Sequence, residues 1–228
     1  TKSKLLYEYD NIKGDPHEIV AANITPYLTD GADVVITKRS LPLCDVPQMG
    51  IGNKPIDGGN YLFTPQERDA FLVIEPAAVS YFRRWIGADE FLNGYERWCL
   101  WLGDCPPHVL RQMPEAMKRV AAVRRFRQVS KSAPTQAIAS TPTRFHVENQ
   151  PTSTYVAIPE VSSKRRVYIP LAFMQPETFC SNLMKLIPNA TLYHFGVLSS
   201  TMHMAWMRTV CGRLCLSIEK WLSDTFGE

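Results

Sequence analysis

Hydrophobic and polar positions follow several distinct rhythms along this chain, and the clearest is helical. Between residues 107 and 133, Leu110, Met113, Met117, Val120 and Val123 recur at steps of three and four, the spacing of one helix face. Pro114 suits the start of the main part of that helix, and Pro134 stands past its end. Thr64-Pro65-Gln66-Glu67 predicts a second helix start, with threonine as the N-cap, and that helix runs to about Ile74. A short helix is expected over residues 77–85. Residues 199–211 return to helical texture with Met202, Trp206 and Val210 in register. Strand texture occupies residues 34–36, 61–63 and 97–102, then 144–147, 154–158, 166–169 and 190–195. Ser162-Ser163-Lys164-Arg165 reads as a hairpin tip between two of these strands, and residues 1–30 as an extended linker. The mixture predicts an α+β fold: a mixed sheet with a long basic helix and strand-hairpin tips, without a regular βαβ repeat.

Length and composition narrow the class. The 228 residues suffice for one large domain or two small ones, and 45% hydrophobic with 21% charged residues are globular values. The long uncharged stretches are broken by proline, so no membrane span is predicted, and a cytoplasmic location is expected. The chain starts at Thr1 without a signal peptide, which suggests a fragment of something longer. The six cysteines are scattered without a Cys-x-x-Cys pair, so reduced structural thiols are expected and no zinc site.

Charge changes the picture more. The net charge of +3 hides an asymmetry: residues 111–166 hold eleven lysines and arginines against three acids, net +8. A middle that basic in an otherwise acidic chain points to a polyanionic partner. Arg124, Arg125, Arg127 and Lys131 crowd one end of the long helix. A merely solvated face usually mixes signs, and acids are almost absent here. Arginine suits this task because its fork of donors grips phosphates and guanine edges. Ser162, Ser163, Lys164, Arg165 and Arg166 form a second patch that sets short donors beside long ones. Asn53 and Lys54 open a polar, glycine-rich loop that either approaches a nucleic-acid backbone or is only a turn. Ser199 and Ser200, just ahead of His203, would stand at a helix N-terminus, which favours a phosphate. Tyr193, Phe195, Trp206, Met202, Met204 and Met207 are expected in the core rather than in a stacking platform.

Catalytic signatures are missing. There is no G-x-G-x-x-G after a strand, no phosphate-binding loop and no G-x-S-x-G. The histidines show no metal-ligand spacing. Asn23-Ile24-Thr25-Pro26-Tyr27 is close in composition to the N-P-P-Y loop of amino-methyltransferases, but it lacks the two adjacent prolines. The alternatives to nucleic-acid binding are a protein-interaction or regulatory domain with a solvated basic face, and an enzyme fragment that retains cofactor binding.

Longer blocks sharpen the reading. RSLPLCDVPQM, GNKPIDGGNYL, FLNGYERWCLWL, RVAAVRRFRQVSK, IPEVSSKRRVYIP and YHFGVLSSTMHMAW, in this order, resemble the target-recognition region of MmeI-like (YeeA-like) adenine-specific DNA methyltransferases. The resemblance implies the sequence-reading part of a site-specific adenine-N6 methyltransferase, from a single-chain restriction–modification system. Double-stranded DNA would be the partner, and an absent upstream methyltransferase domain would hold S-adenosylmethionine. No catalytic residue, cofactor or metal is then expected in this chain. Residues 1–30 become the linker from that upstream domain, residues 31–213 the recognition domain, and residues 214–228 a tail that departs from the family pattern. The family places its base-reading side chains in the segment matching residues 160–170, which makes Ser162 to Arg166 the main candidates.

Overall fold

A computed structural model describes residues 4–11, 13–35, 42, 44–163 and 166–210, of which residues 209 and 210 are described by backbone alone. The chain divides into two units, residues 1–39 and 40–228. In the first unit, β1 (Lys4–Glu8) and β2 (His17–Ala21) pair antiparallel, with Leu6 opposite Ile19. The expected linker is therefore a β-hairpin. Val34 and Val35 belong to no strand, and Ile36 lies outside the described residues.

The second unit holds two four-stranded sheets. In chain order its elements begin with β3 (Gly50–Ile51), β4 (Leu62–Phe63), α1 (Pro65–Ile74), β5 (Phe82–Ile86), α2 (Ala88–Asn93) and β6 (Arg97–Leu100). Next come α3 (Pro107–Leu110), α4 (Pro114–Gln128), α5 (Ala133–Ala137), β7 (Tyr155–Pro159), β8 (Ala172–Met174), β9 (Thr178–Cys180) and β10 (Met184–Pro188). The helices α6 (Leu192–Leu198) and α7 (Thr201–Val210) follow. One sheet runs β3-β10-β7-β8, all antiparallel. The other runs β4-β6-β5-β9, antiparallel except for the parallel pair β5–β9. The short link between β8 and β9 carries the chain from one sheet to the other.

Period-two burial explains the layers. Val156 and Ile158 of β7 face a core shared with Ile169, Ile187, Leu198, Met204 and Met207, under α6 and α7. Their neighbours Tyr155 and Ala157 face the opposite core, with Cys180, Met184 and Leu186. The second sheet packs Phe63, Phe82, Trp85 and Leu100 against Met113, just before α4, and the buried stripe of α4 itself, Ala116, Val120 and Val123. The helix start at Thr64 forms as expected: its hydroxyl accepts from the Glu67 amide at 3.2 Å, and Glu67 Oε2 accepts from the Thr64 amide at 2.8 Å. Among the described residues, Cys44, Cys99, Cys105 and Cys180 form no disulfide, and no helix is long and apolar enough to cross a membrane.

Several expected elements differ. Residues 77–85 split into a 3-10 turn over Pro76–Tyr81 and strand β5, because Phe82 and Trp85 are needed in the sheet core. Residues 144–147 make only one bridge, between Lys54 and Val147, and residues 166–169 form no strand. Residues 190–195 form no strand and enter a helix at Leu192: Asn189 turns into the left-handed region at φ 58°, and Thr191 with His194 then forms a capping box that opens α6.

Candidate nucleic-acid interface

The end of α4 and the glycine-rich loop form one stitched surface. The stitch is Arg127, which is 0% exposed. Its Nε donates to the Ile56 carbonyl at 2.9 Å. Its Nη1 donates to the carbonyls of Ile138 at 3.0 Å and Thr141 at 2.9 Å. Its Nη2 donates to those of Pro55 and Arg144, both at 2.8 Å. All five N–H groups are thus used inside the fold, and none is left for a phosphate. This corrects the expectation that Arg127 touches DNA. The signal was present in the sequence: Met113, Ala116, Val120, Val123 and Arg127 continue one three-and-four register, and the arginine stands on its buried side. Burial pulls the guanidinium pKa below its ordinary value, an effect opposed by Tyr61 and the Asp57 carboxylate.

Asn53 needs the same correction. It is fully buried, with its amide nitrogen donating to the Cys180 carbonyl and to Gln150 Oε1, both at 3.3 Å, and its oxygen accepting from the Asn149 amide at 2.9 Å. Gly52 beside it runs so close to β9 that a Cβ there would stand 2.3 Å from the Ser181 carbonyl oxygen. The loop then turns on Asp57, whose carboxylate accepts from the Tyr61 amide at 2.6 Å and the Gly59 amide at 3.2 Å. Gly58 and Gly59 take φ values of 64° and 80°, which glycine adopts without strain. The Tyr61 hydroxyl donates to the Pro142 carbonyl at 2.7 Å, and burial raises its pKa so that it remains a donor. The loop is a hydrogen-bonded turn, and it holds Lys54, Gly58 and Gly59 exposed.

The remaining basic residues sort by partner. Lys118 pairs with Glu115 at 2.6 Å, and Arg144 with Glu148 at 2.5 Å. Arg119 stacks over Phe63 at 4.8 Å. Lys54, Arg124, Arg125 and Lys131 are exposed, and none forms an ion pair among the described residues. Arg124 and Lys131 flank Arg127 in sequence, and Arg127 ties this end of α4 to residues 55 and 56, next to Lys54. Lys54, Arg124 and Lys131 therefore border a single seam, while Arg125, two positions before the buried Arg127, stands on the opposite side of α4.

The second patch lies on the loop joining β7 to β8. Its base is fixed by an ion pair between Glu160 and Lys185 at 3.2 Å, with both side chains largely buried, and by Ile169 in the core. Arg208 of α7 donates to the Val167 carbonyl at 3.2 Å. A turn closes through the Arg166 amide, which donates to the Ser163 carbonyl at 3.0 Å. Ser163 and Arg166 are exposed, and Ser162 is half-buried. Lys164 and Arg165 lie outside the described residues.

Ser199, Ser200 and His203 serve the α6–α7 corner. The Ser199 hydroxyl donates to the Phe195 carbonyl at 2.8 Å and the Ser200 hydroxyl to the Val197 carbonyl at 2.7 Å. Ser200 also accepts from the His203 amide at 3.1 Å, so it caps α7 itself. His203 Nδ1 lies 2.7 Å from the Leu198 carbonyl, which places the proton on that nitrogen. Sequence reasoning misplaced part of the apolar set here. Met204 and Met207 are core, but Met202 is 83% exposed, Tyr193 76% and Trp206 43%. The register of Met202 and Trp206 marks the outer side of α7, because the 204/207 pair has the inward side.

Asn23 and Thr25 are tied inside their own turn. The Thr25 hydroxyl accepts from the Tyr27 and Thr29 amides, and the Asn23 side chain donates to the Gly31 carbonyl and to Asp33. They build a local turn rather than a methyltransferase loop.

An α+β scaffold that keeps Lys54, Arg124, Arg125 and Lys131 exposed, with no paired acid among the described residues, defines the class by an unneutralised basic surface. The family match is specific: residues 30–219 fit the model described as MmeI, target recognition domain, and the chain belongs to that family. It is 37% identical over 200 residues to DNA methyltransferase A of Bacillus subtilis (strain 168), covering 88% of this chain and 23% of that protein. It is also similar to a solved structure of the type IIL restriction–modification enzyme MmeI in complex with DNA. That likeness has a TM-score of 0.81 and 46% identity, covering 94% of this chain and 29% of the other. The chain thus spans about a quarter of the length of these relatives.

Proposed function

We propose that this chain reads a specific sequence in double-stranded DNA, as the recognition part of a site-specific adenine-N6 methyltransferase that belongs to a restriction–modification system. One observation carries the reading: in a member of the MmeI target recognition domain family, Lys54, Arg124 and Lys131 border one seam and Arg125 is exposed on the far side of α4, with no acid paired to any of the four among the described residues. Exposed, unneutralised cations held on ordered backbone suit phosphates, which fix register on a duplex. The β7–β8 loop supplies the sequence-reading side chains in this view. Ser162, Ser163 and Arg166 stand on it, and Lys164 and Arg165 belong to the same segment. The target adenine would leave the stack for a catalytic domain elsewhere in the longer enzyme.

S-adenosylmethionine would belong to that catalytic domain in the cytoplasm. The residues present here do not fit it, since among the described residues no strand is followed by a glycine-rich turn opening a helix. The chain's own work is binding and orientation. Selection of bound duplexes from a randomised pool, at two salt concentrations, tests the proposal. Enrichment of one motif of several base pairs is the expected result. Failure to bind any duplex, even at low salt, would overturn it.

A further inference from the structure

The N-terminal hairpin carries a surface that its own unit does not cover. Leu5, Leu6 and Tyr7 are consecutive in β1, and Ile19, Val20 and Ala21 are consecutive in β2. Consecutive apolar residues in a strand point to both faces of its sheet. Leu5, Tyr7 and Val20 share one face and are exposed, Val20 by 67%. Leu6 and Ile19 pair on the other, where Ile19 is also exposed. Strands that are apolar on both faces belong in sheets covered on both sides. The hairpin is only two strands wide, so each strand has an open outer edge among the described residues. An isolated two-stranded hairpin is marginal in water and needs further strands or a packed layer.

Two observations choose the occupant. The family match begins at residue 30, leaving the whole hairpin outside the recognition domain, and the chain spans 23% and 29% of its longer relatives. Residues 1–35 carry three lysines and six acids, the opposite sign to the basic seam, so a DNA backbone is a poor match. We infer that β1 and β2 complete the sheet of a protein domain that precedes them in the longer parent polypeptide, an α/β domain whose sheet is covered on both faces. The hairpin is then the last piece of that neighbour rather than the first piece of the reader. This rests on reading the chain as part of a longer enzyme.

Hydrogen exchange and truncation test it together. In the 228-residue chain, the amides of β1 and β2 should exchange about 100-fold faster than those of β7 and β10, and in the longer natural polypeptide they should become protected by a similar factor. Removing residues 1–29 should leave the thermal midpoint of the chain and the selected DNA motif unchanged. Val20→Glu should lower the midpoint of the longer polypeptide but not that of the 228-residue chain. Hairpin amides already as protected as β7 in the short chain, or a large loss of stability on truncation, would overturn the inference. So would a dimer of the short chain that Val20→Glu dissociates, which would assign the surface to a second copy. Absence of any DNA motif, with these exchange patterns intact, would count against the recognition reading alone.

Discussion

Two arginines two positions apart on one helix separate stability from binding. Arg125 is exposed without an ion-pair partner, while Arg127 spends five donors on five carbonyls. Arg127→Met removes the charge and strands those carbonyls, so it should cost roughly 3 kcal/mol or more of folding stability in urea unfolding. Arg125→Ala should change stability by less than about 0.5 kcal/mol, yet weaken binding to every DNA sequence alike. A variant of Arg127 that melts normally but binds poorly would reverse the two roles. His203 gives a pH signature at the same scale. Burial lowers its pKa from the ordinary 6.5, and the hydrogen bond to the Leu198 carbonyl only partly opposes this. The unfolded chain therefore takes up the proton first as the pH falls. The stability contributed by the neutral ring is complete above about 6.5 and is lost as the pH drops through that value toward the folded pKa. Melting at about pH 7.5 and about pH 5.5 should show a smaller loss for His203→Gln than for the parent chain. Equal losses would clear this ring of responsibility.

At the scale of elements, the seam between the glycine-rich loop and α4 is the most exacting contact. A Cβ on Gly58 would stand 2.8 Å from the Phe126 ring, on a backbone with φ of 64°. Gly59 has φ of 80° but open space around it. Gly59→Ala should cost about 1–2 kcal/mol from backbone strain alone, and Gly58→Ala more, because the ring must also move. Equal midpoints for the two variants in thermal unfolding would show that Phe126 yields freely. The same seam shows what the sequence could and could not reveal. The Thr64 cap and most of the α4 stripe are local patterns, so they were legible, but Met117, expected in that stripe, is 39% exposed and Ala116 takes the inward place. The glycine-rich turn was legible as a turn, but its attachment to α4 through Arg127 joins residues 55, 56 and 127, a partnership no local pattern encodes. Strand pairing failed for a related reason: residues 144–147 have strand texture, yet the partner available to them is the single bridge at Lys54. The exposed side of α7 was misread because Met202 and Trp206 are apolar at helical spacing, and only packing reveals that Met204 and Met207 hold the inward side.

At the scale of the whole molecule, net charge is a poor guide and its distribution a good one. Of the eleven bases in the middle of the chain, Lys118 and Arg144 are neutralised by acids, Arg119 lies on an aromatic ring and Arg127 is sealed inside. Arg111, Arg124, Arg125, Lys131 and Arg166 remain exposed, as does Lys54 outside that stretch, and none of them has an ion pair among the described residues. Each phosphate neutralised on a duplex releases close to one counterion. If Lys54, Arg124, Arg125 and Lys131 each hold a phosphate, log K should fall with log salt at a slope of about −3 to −4. Lys54→Ala and Lys131→Ala should each remove about one unit from that slope without changing the selected motif. Removing Arg166 should instead relax the motif at one base pair by about 1–3 kcal/mol of discrimination. A slope near −1 in the parent chain would mean that the seam does not face the duplex. The grip would then have to come from the β7–β8 loop, and the two basic elements would no longer act on one piece of DNA.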